Sequence, residues 1–462
     1  MDHIINLPLP QIARELRAGR ISAKRLTAAY LERIERLDPL YQAYIAVTAS
    51  VAERQAWEAD NALSQGQVLG PLHGVPIAVK DLCETDFAPT SNGMALFRQR
   101  ETKRQSAVVA SLLQAGAVCL GKLAMAEGAC STHHPEMPVP INPWGSSFRC
   151  GSSSSGSGVA VAARLCAAAI GSDTGGSIRF PSAYCAVTGL KPSRDAVSRD
   201  GILPMAPSLD HIGPMALDAA GCAMIFKAIA GSGFQGMQNH RMPSGDGQAG
   251  DPSNMSVGYD PAFIEGALAP EIEVAFLRLL DDCRALGVRL VPMALPQTAD
   301  IDAIWTTICA YETAQSHAET FAMAPSAYGA ALASLVKQGL AVSQEEYLHA
   351  RKNQKTATLT WNALFDEVDA VAMPIHAAPP PLLDNALGAP SSGSANPLQY
   401  TAPANVTGLP ALALPAGRDR RGCPMGLQLL GRTGTDLALL HLGEQLQSRP
   451  GWQVDLAPDP VG

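Results

Sequence analysis

Little of this 462-residue chain is charged or aromatic: Asp, Glu, Lys and Arg together make up 16% and Phe, Trp and Tyr 5%, against 47% hydrophobic residues. A chain so poor in charge and so rich in aliphatic side chains has ample material for a large core, which excludes extended disorder. Basic residues are outnumbered 34 to 42, for a net charge of −8. That balance leaves no cationic surface for phosphates, so nucleic acid is not an expected partner. No apolar run approaches the roughly 20 residues that a membrane helix needs. The opening MDHIINLPLP has neither the basic start nor the apolar stretch of a secretory signal, so a cytoplasmic location without membrane contact is expected. The ten cysteines, at 83, 119, 130, 150, 166, 185, 222, 283, 309 and 423, form no C-x-x-C pair. They read as reduced, buried thiols. The G-x-S-x-G elbow is also missing, which argues against an α/β-hydrolase.

What is present alternates between helix and strand patterns. Apolar residues at helical spacing predict helices over Ile21–Leu37, capped by Ser22 and closed by Pro39, and over Val51–Leu63. Short apolar runs at Val75–Val79, Ala117–Leu120 and Ala169–Gly171 then alternate with helical stretches at Ser106–Ala115 and Gly156–Ala168. The Ala/Val-rich segment Val159–Ile170 reads mainly as a buried helix. Further strands are expected at Ser256–Tyr259, Val288–Val291, Ala370–Met373, Ala411–Leu414 and Gly426–Leu430, and helices at Glu271–Leu286, Glu345–Leu364 and Asp436–Gln447. Such alternation implies an α/β fold. Two stretches lack periodicity, Gly231–Asn254 and Ala377–Pro403; the second follows a strand and is the better candidate for a pocket rim.

The most unusual composition lies in Gly151-Ser-Ser-Ser-Ser-Gly-Ser-Gly158 and, shortly after, Gly171-Ser-Asp-Thr-Gly-Gly-Ser-Ile-Arg-Phe-Pro181. A Ser/Gly tract in isolation reads as a linker. Here the first tract runs into a helix and the second follows an apolar strand, so backbone N–H groups converge where negative charge must be stabilised. With its D-x-G-G-S-I-R-x-P core, the sequence resembles the amidase signature family of serine hydrolases. The resemblance extends from about Leu7 to the C-terminal helix through Gly121-Lys122 with Glu127, Asn142-Pro143-Trp144, Gly189-Leu-Lys-Pro192, Ser208-Leu-Asp-His-Ile-Gly-Pro214, Asn405-Val-Thr-Gly-Leu-Pro410 and Pro424-Met-Gly-Leu-Gln428.

The resemblance implies a large mixed, twisted sheet covered by helices on both faces. It also implies a single domain over 1–462, with N-terminal helices 1–66, a catalytic core 67–230, a flexible connection 231–254 and a C-terminal half carrying the rim loop 377–403. That family works with a Ser, cis-Ser, Lys triad. Its nucleophile matches Ser177, its bridging serine falls 24 residues earlier at Ser153, and its lysine matches Lys80 in Gly74-Val-Pro-Ile-Ala-Val-Lys80-Asp81. The family's usual Gly-Gly-Ser-Ser-Gly-Gly is altered, with Ser152 and Ser155 standing where it has glycines.

A serine hydroxyl needs a base, and a lysine serves only where burial leaves it neutral; the run Ile77-Ala78-Val79 draws Lys80 toward the core. The N–H groups of Thr174, Gly175, Gly176 and Ser177 are the expected oxyanion hole. Asp173 and Arg179 either brace this loop, the preferred reading, or Arg179 holds a substrate carboxylate. Cys130, Leu382, Leu387, Leu398 and Tyr400 are the expected substrate contacts, with Cys130–Val139 and Ala377–Tyr400 at the pocket mouth. With Asp384 the only charge in that rim, an uncharged, partly hydrophobic substrate is favoured.

Three other signals point elsewhere. Gly116-Ala-Val-Cys-Leu-Gly-Lys122 matches part of a phosphate loop, but Leu123 replaces its Ser or Thr and the segment reads as a buried strand. His133-His134 with Glu136 reads as a polar surface in a Pro-rich loop, so no metal is expected. Cys185 has no histidine nearby to activate it. The expectation is a cofactor-free amidase that forms an acyl-enzyme on Ser177 from a small amide, ester or carbamate (urethane), as a monomer or homodimer. The alternatives are the glutamine-hydrolysing subunit of a tRNA-dependent amidotransferase and a catalytically silent binding module.

Overall fold

The computed structural model describes residues 2–231, 251–297, 299–383, 398–452 and 456–459. Among these residues eleven strands form one mixed sheet. In chain order they are β1 (Tyr44–Val47), β2 (Pro76–Lys80), β3 (Val118–Leu123), β4 (Ala168–Asp173), β5 (Thr188–Lys191), β6 (His211–Ala216), β7 (Ser256–Tyr259), β8 (Arg289–Pro292), β9 (Ala370–Pro374), β10 (Ala411–Arg418) and β11 (Pro424–Gly431). Across the sheet they run β1-β3-β2-β4-β6-β5-β10-β11-β9-β7-β8. The antiparallel pairing of β5 with β10 joins strands from the two halves of the chain.

The parallel trio β3-β2-β4 positions the site. Every residue of β2 is buried, as a parallel strand covered on both faces requires, and its sequence is correspondingly an unbroken apolar run up to Lys80. Val79 pairs with Ile170 of β4 and Lys122 of β3, so Lys80 and Asp173 both lie at carboxyl ends of neighbouring strands. The helix Ser155–Ala162 packs on these strands. Its residues are all small or β-branched, which lets its backbone approach closely: Gly156 N–H reaches the Ala124 carbonyl at 3.0 Å.

Several expectations need correction. Val159–Ile170 is not one helix. The helix ends at Ala162, Arg164 takes a left-handed φ of 58°, and β4 begins at Ala168; the Arg164 guanidinium, held by Asn6, Ala457 and Asp459, fixes that turn. Pro39 lies inside the helix Ala23–Tyr41 and does not close it; Gln42, in a left-handed conformation, does. Three strands escape a reading of the sequence. β1 and β5 are four residues long, and β6 carries Pro214. β5 pairs with β6 only at Met215 and Ala216, so this proline lies past the end of that pairing. The helices Ala219–Ile229, Ala299–Met323 and Ala330–Ala341 are likewise not foreseen by the sequence pattern.

Candidate active site

Lys80 ends β2 with its side chain fully buried. Its Nζ lies 2.7 Å from Ser153 Oγ, 2.9 Å from Ser154 Oγ and 2.8 Å from Ser172 Oγ. Among the described residues no carboxylate pairs with it. Burial therefore pulls its pKa down to about 7, with the more distant charges of Asp173 and Asp210 opposing the shift. Three hydroxyls suit a neutral amine, which has two N–H donors and one lone pair. The Ser154 hydroxyl donates to the Ser172 carbonyl at 3.0 Å, so it serves the lysine as an acceptor. Either the Ser153 or the Ser172 hydroxyl can then turn its proton to the lone pair.

The serine tract threads between the lysine and Ser177. Ser153 is anchored by its carbonyl, which accepts from Ala126 N–H at 3.2 Å, and Ser154 N–H donates to the Ser177 carbonyl at 3.3 Å. The expected cis bond before Ser153 is absent: all peptide bonds among the described residues are trans. A Cβ on Ser152, where the family pattern has glycine, adds crowding to a cis form that already costs about 3–4 kcal/mol. The hydroxyl of Ser153 still reaches Lys80 from a trans bond. Among the described residues no hydrogen bond joins Ser153 to Ser177. Ser177 is 7% exposed, whereas Lys80 and Ser153 are at 0%, so of the three only Ser177 is open to a ligand.

Ser177 sits in the turn between β4 and the helix Arg179–Tyr184. Asp173 organises that turn, accepting from Gly176 N–H at 2.7 Å and Ile178 N–H at 3.1 Å. Arg179 pairs with it at 3.0 Å, both side chains being fully buried, and also reaches Gln428 at 2.9 Å and Asn405 at 2.6 Å. Burial alone would raise the Asp173 pKa, but the Arg179 charge and hydrogen bonds hold it well below the usual carboxylate range. Arg179 is thereby occupied within the protein, facing Asp173 and two amides.

The oxyanion set also needs correction. Gly176 N–H is donated to Asp173 and so is not offered to a ligand. The N–H groups of Thr174, Gly175 and Ser177 have no protein acceptor among the described residues. The carbonyls beside them are held back: Trp305 Nε1 donates to the Thr174 carbonyl at 2.8 Å and Thr401 Oγ1 to that of Gly175 at 2.6 Å. Gly176 has a φ of +130°, and a Cβ there would crowd Phe180 and Thr401, so only glycine completes the turn.

A cavity of about 430 Å³ opens onto Ser177. Of the residues expected at the rim, Cys130 and Leu398 line it. Leu382 is 41% exposed and bridges to Phe148 outside the cavity wall. Tyr400 is buried edge-on against Phe263 with its carbonyl accepting from Gln428 and does not line the cavity. Leu387 and Asp384 lie outside the described residues. The walls that the sequence pattern does not foresee come from two of the unforeseen helices: Trp305 from Ala299–Met323, and Leu335 and Gln338 from Ala330–Ala341. A tryptophan in an alanine-rich helix is the one signal that could have found them. Among the described residues, Arg149 is the only charged side chain in the walls. A larger groove, about 870 Å³, lies between the helices Ala299–Met323 and Gln344–Ala363 and contains none of the serine and lysine cluster.

Comparison with known proteins places this geometry in context. A family model described as Amidase matches residues 25–440. The chain is 38% identical over 460 residues to "Putative amidase AmiD" of Mycobacterium tuberculosis, covering 98% of this chain and 96% of the relative. It is 31% identical to a glutamyl-tRNA(Gln) amidotransferase chain of Thermosynechococcus vestitus, covering 96% and 98%. Among solved structures, the peptide amidase of Stenotrophomonas maltophilia superposes with a TM-score of 0.79 at 27% identity, over 97% of this chain and 99% of the other.

Proposed function

The chain belongs to the amidase family, and on that premise we propose that it hydrolyses C–N amide bonds through an acyl-enzyme on Ser177, with Lys80 as the base and Ser153 as the relay. The observation that carries this reading is the buried Lys80 amine, ringed by hydroxyls and, among the described residues, facing no carboxylate. A neutral Nζ takes the Ser153 hydroxyl proton, and Ser153, which must first come within hydrogen-bond reach of Ser177, takes that of Ser177 as Ser177 Oγ bonds to the substrate carbonyl carbon. The oxyanion is received by N–H groups of the 174–177 turn, where one such donor is typically worth about 3–4 kcal/mol. Collapse breaks the C–N bond, and the leaving amine takes the proton held on Lys80. Water then repeats the sequence on the ester, returning Ser177 and releasing the acid.

Apolar walls at Trp305, Leu335, Phe180 and Leu398 support an uncharged, partly hydrophobic acyl or leaving group, and the same chemistry extends to esters and carbamates. The likeness to the amidotransferase chain supports a second reading, glutamine hydrolysis within a larger assembly. Turnover of simple nitroanilides by the purified chain alone would count against that second reading. The first is tested by a serine-reactive acylating agent and peptide mass mapping. The adduct is expected on Ser177, with Ser177→Ala unlabelled and its turnover reduced by at least about a thousandfold. An adduct on Ser152 or Ser154, or turnover surviving in Ser177→Ala, would overturn the assignment.

A further inference from the structure

One buried carboxyl near the cavity has no part in that chemistry. Glu127 is 2% exposed and lies in the short turn Glu127–Ala129 that follows β3. The turn is fixed to the catalytic side of the molecule: Ala126 N–H holds the Ser153 carbonyl, and Gly128 N–H holds the Asn92 carbonyl at 2.8 Å. From there the Glu127 carboxyl reaches across to Gly329, whose N–H it accepts at 3.0 and 2.9 Å on its two oxygens. Gly329 caps the helix Ala330–Ala341. That helix supplies Ala331, Ser334, Leu335 and Gln338 to the cavity lining, and Ala129, Cys130 and Ser131, close to Glu127 in the chain, line it as well. The fit is close enough that a Cβ on Gly329 would collide with the carboxyl.

We propose that Glu127 is a positioning residue that clasps the wall helix Ala330–Ala341 against the turn carrying Ser153's anchor, and so sets how tightly the cavity closes on substrate. The proposal rests on the reading that substrate occupies this cavity. No cation pairs with Glu127 among the described residues. The groups facing it are Cys130 and His134 from its own loop, His317 from the helix Ala299–Met323, whose ring lies beside Gly128, and Tyr328 next to Gly329. Burial pushes the His317 pKa down to about 4 and the Tyr328 pKa up to about 12.

Burial likewise raises the Glu127 pKa from 4.5 to about 7, with the Gly329 N–H opposing. The direction of the pH effect follows from linkage. The closed cavity holds the proton more tightly than a carboxyl opened to water, so closure is strongest below about pH 4.5. It weakens as the pH climbs to about 7 and changes little above.

The test uses the full-length enzyme with three variants, following hydrogen exchange of the 330–341 segment and the kinetics of a neutral nitroanilide. Glu127→Asp is one methylene too short to reach Gly329, and Gly329→Ala drives the helix off the carboxyl. Both should speed exchange of the segment and raise KM about 5- to 10-fold while kcat stays within about twofold. The double variant should add little to either single change. Glu127→Gln keeps the acceptor and removes the titration, so its KM should be flat from pH 5 to 8 where that of the wild type rises. Unchanged exchange in Glu127→Asp would overturn the clasp. A fall in kcat at constant KM would reduce Glu127 to a support for folding, also against the proposal. Labelling of Ser177 by the acylating agent in the same variants keeps failure of the clasp distinct from failure of the nucleophile assignment. Should Glu127→Asp not fold, the comparison of wild type with Glu127→Gln across pH still decides.

Discussion

Lys80 and Lys122 stand one residue apart in register on neighbouring parallel strands, Val79 pairing with Lys122 and Lys80 with Leu123, and both are fully buried. They differ in what faces the ammonium. Lys122 meets the Asp81 carboxylate at 2.9 Å and the Thr90 hydroxyl at 2.7 Å. Lys80 meets three hydroxyls and, among the described residues, no carboxylate. Burial thus gives one residue a carboxylate partner, and the other only hydroxyl dipoles, which do not offset the cost of burying its charge. Burial is common to both lysines; the proposed role of Lys80 as base rests on its having, among the described residues, no anion beside it.

That contrast breaks most visibly through activity. Lys80→Met is expected to cost turnover at least about a thousandfold while the chain stays folded, because removing an uncompensated buried amine leaves no partner charge behind. Measured kcat with a thermal unfolding curve checks it. Lys80→Arg should be no better, since a guanidinium is not deprotonated in a protein. The reverse pattern is expected for Lys122→Met, which strands Asp81 in the core. A stability loss of about 3–5 kcal/mol, read by denaturant unfolding, should accompany near-normal kcat per folded molecule.

A smaller effect separates the two lysines by pH. A lysine whose pKa is lowered from 10.5 to about 7 in the fold makes the unfolded chain bind more protons between those values. Stability should therefore rise with pH across that window. Lys80→Met should lack this slope and Lys122→Met should retain it. The smallest expected change lies beyond both lysines. Trp305→Phe keeps a ring in the cavity wall but loses the 2.8 Å bond to the Thr174 carbonyl, so kcat should fall about 5- to 10-fold with KM less affected. Equal changes in both would mean that Trp305 only shapes the cavity.

The same contrast explains what the sequence could disclose. β2, β4 and the Gly-Gly-Ser turn are legible because parallel, doubly covered strands are written as apolar runs and because a turn with φ of +130° demands glycine at 176. The link from Lys80 to three particular hydroxyls is not. Ser172 contributes one of them from within β4, and nothing in a run of serines says which will turn inward. The wall helices stay hidden for a related reason. Ala299–Met323 packs against the core on one side and borders both the cavity and the outer groove, so its apolar residues spread around it and blur the helical period. Tyr400 reads as a rim residue because its surroundings in sequence are loop-like, yet Gln428 of β11 holds its carbonyl at 2.7 Å.

The claim on which all of this turns is the protonation state of Lys80, and NMR of a protein carrying 15N at the lysine Nζ atoms reads it directly. The Lys80 signal is identified by its loss in Lys80→Met. It should titrate with a midpoint near pH 7. A Lys80 resonance that remains ammonium-like up to about pH 9 would contradict the account and leave Ser177 without its base.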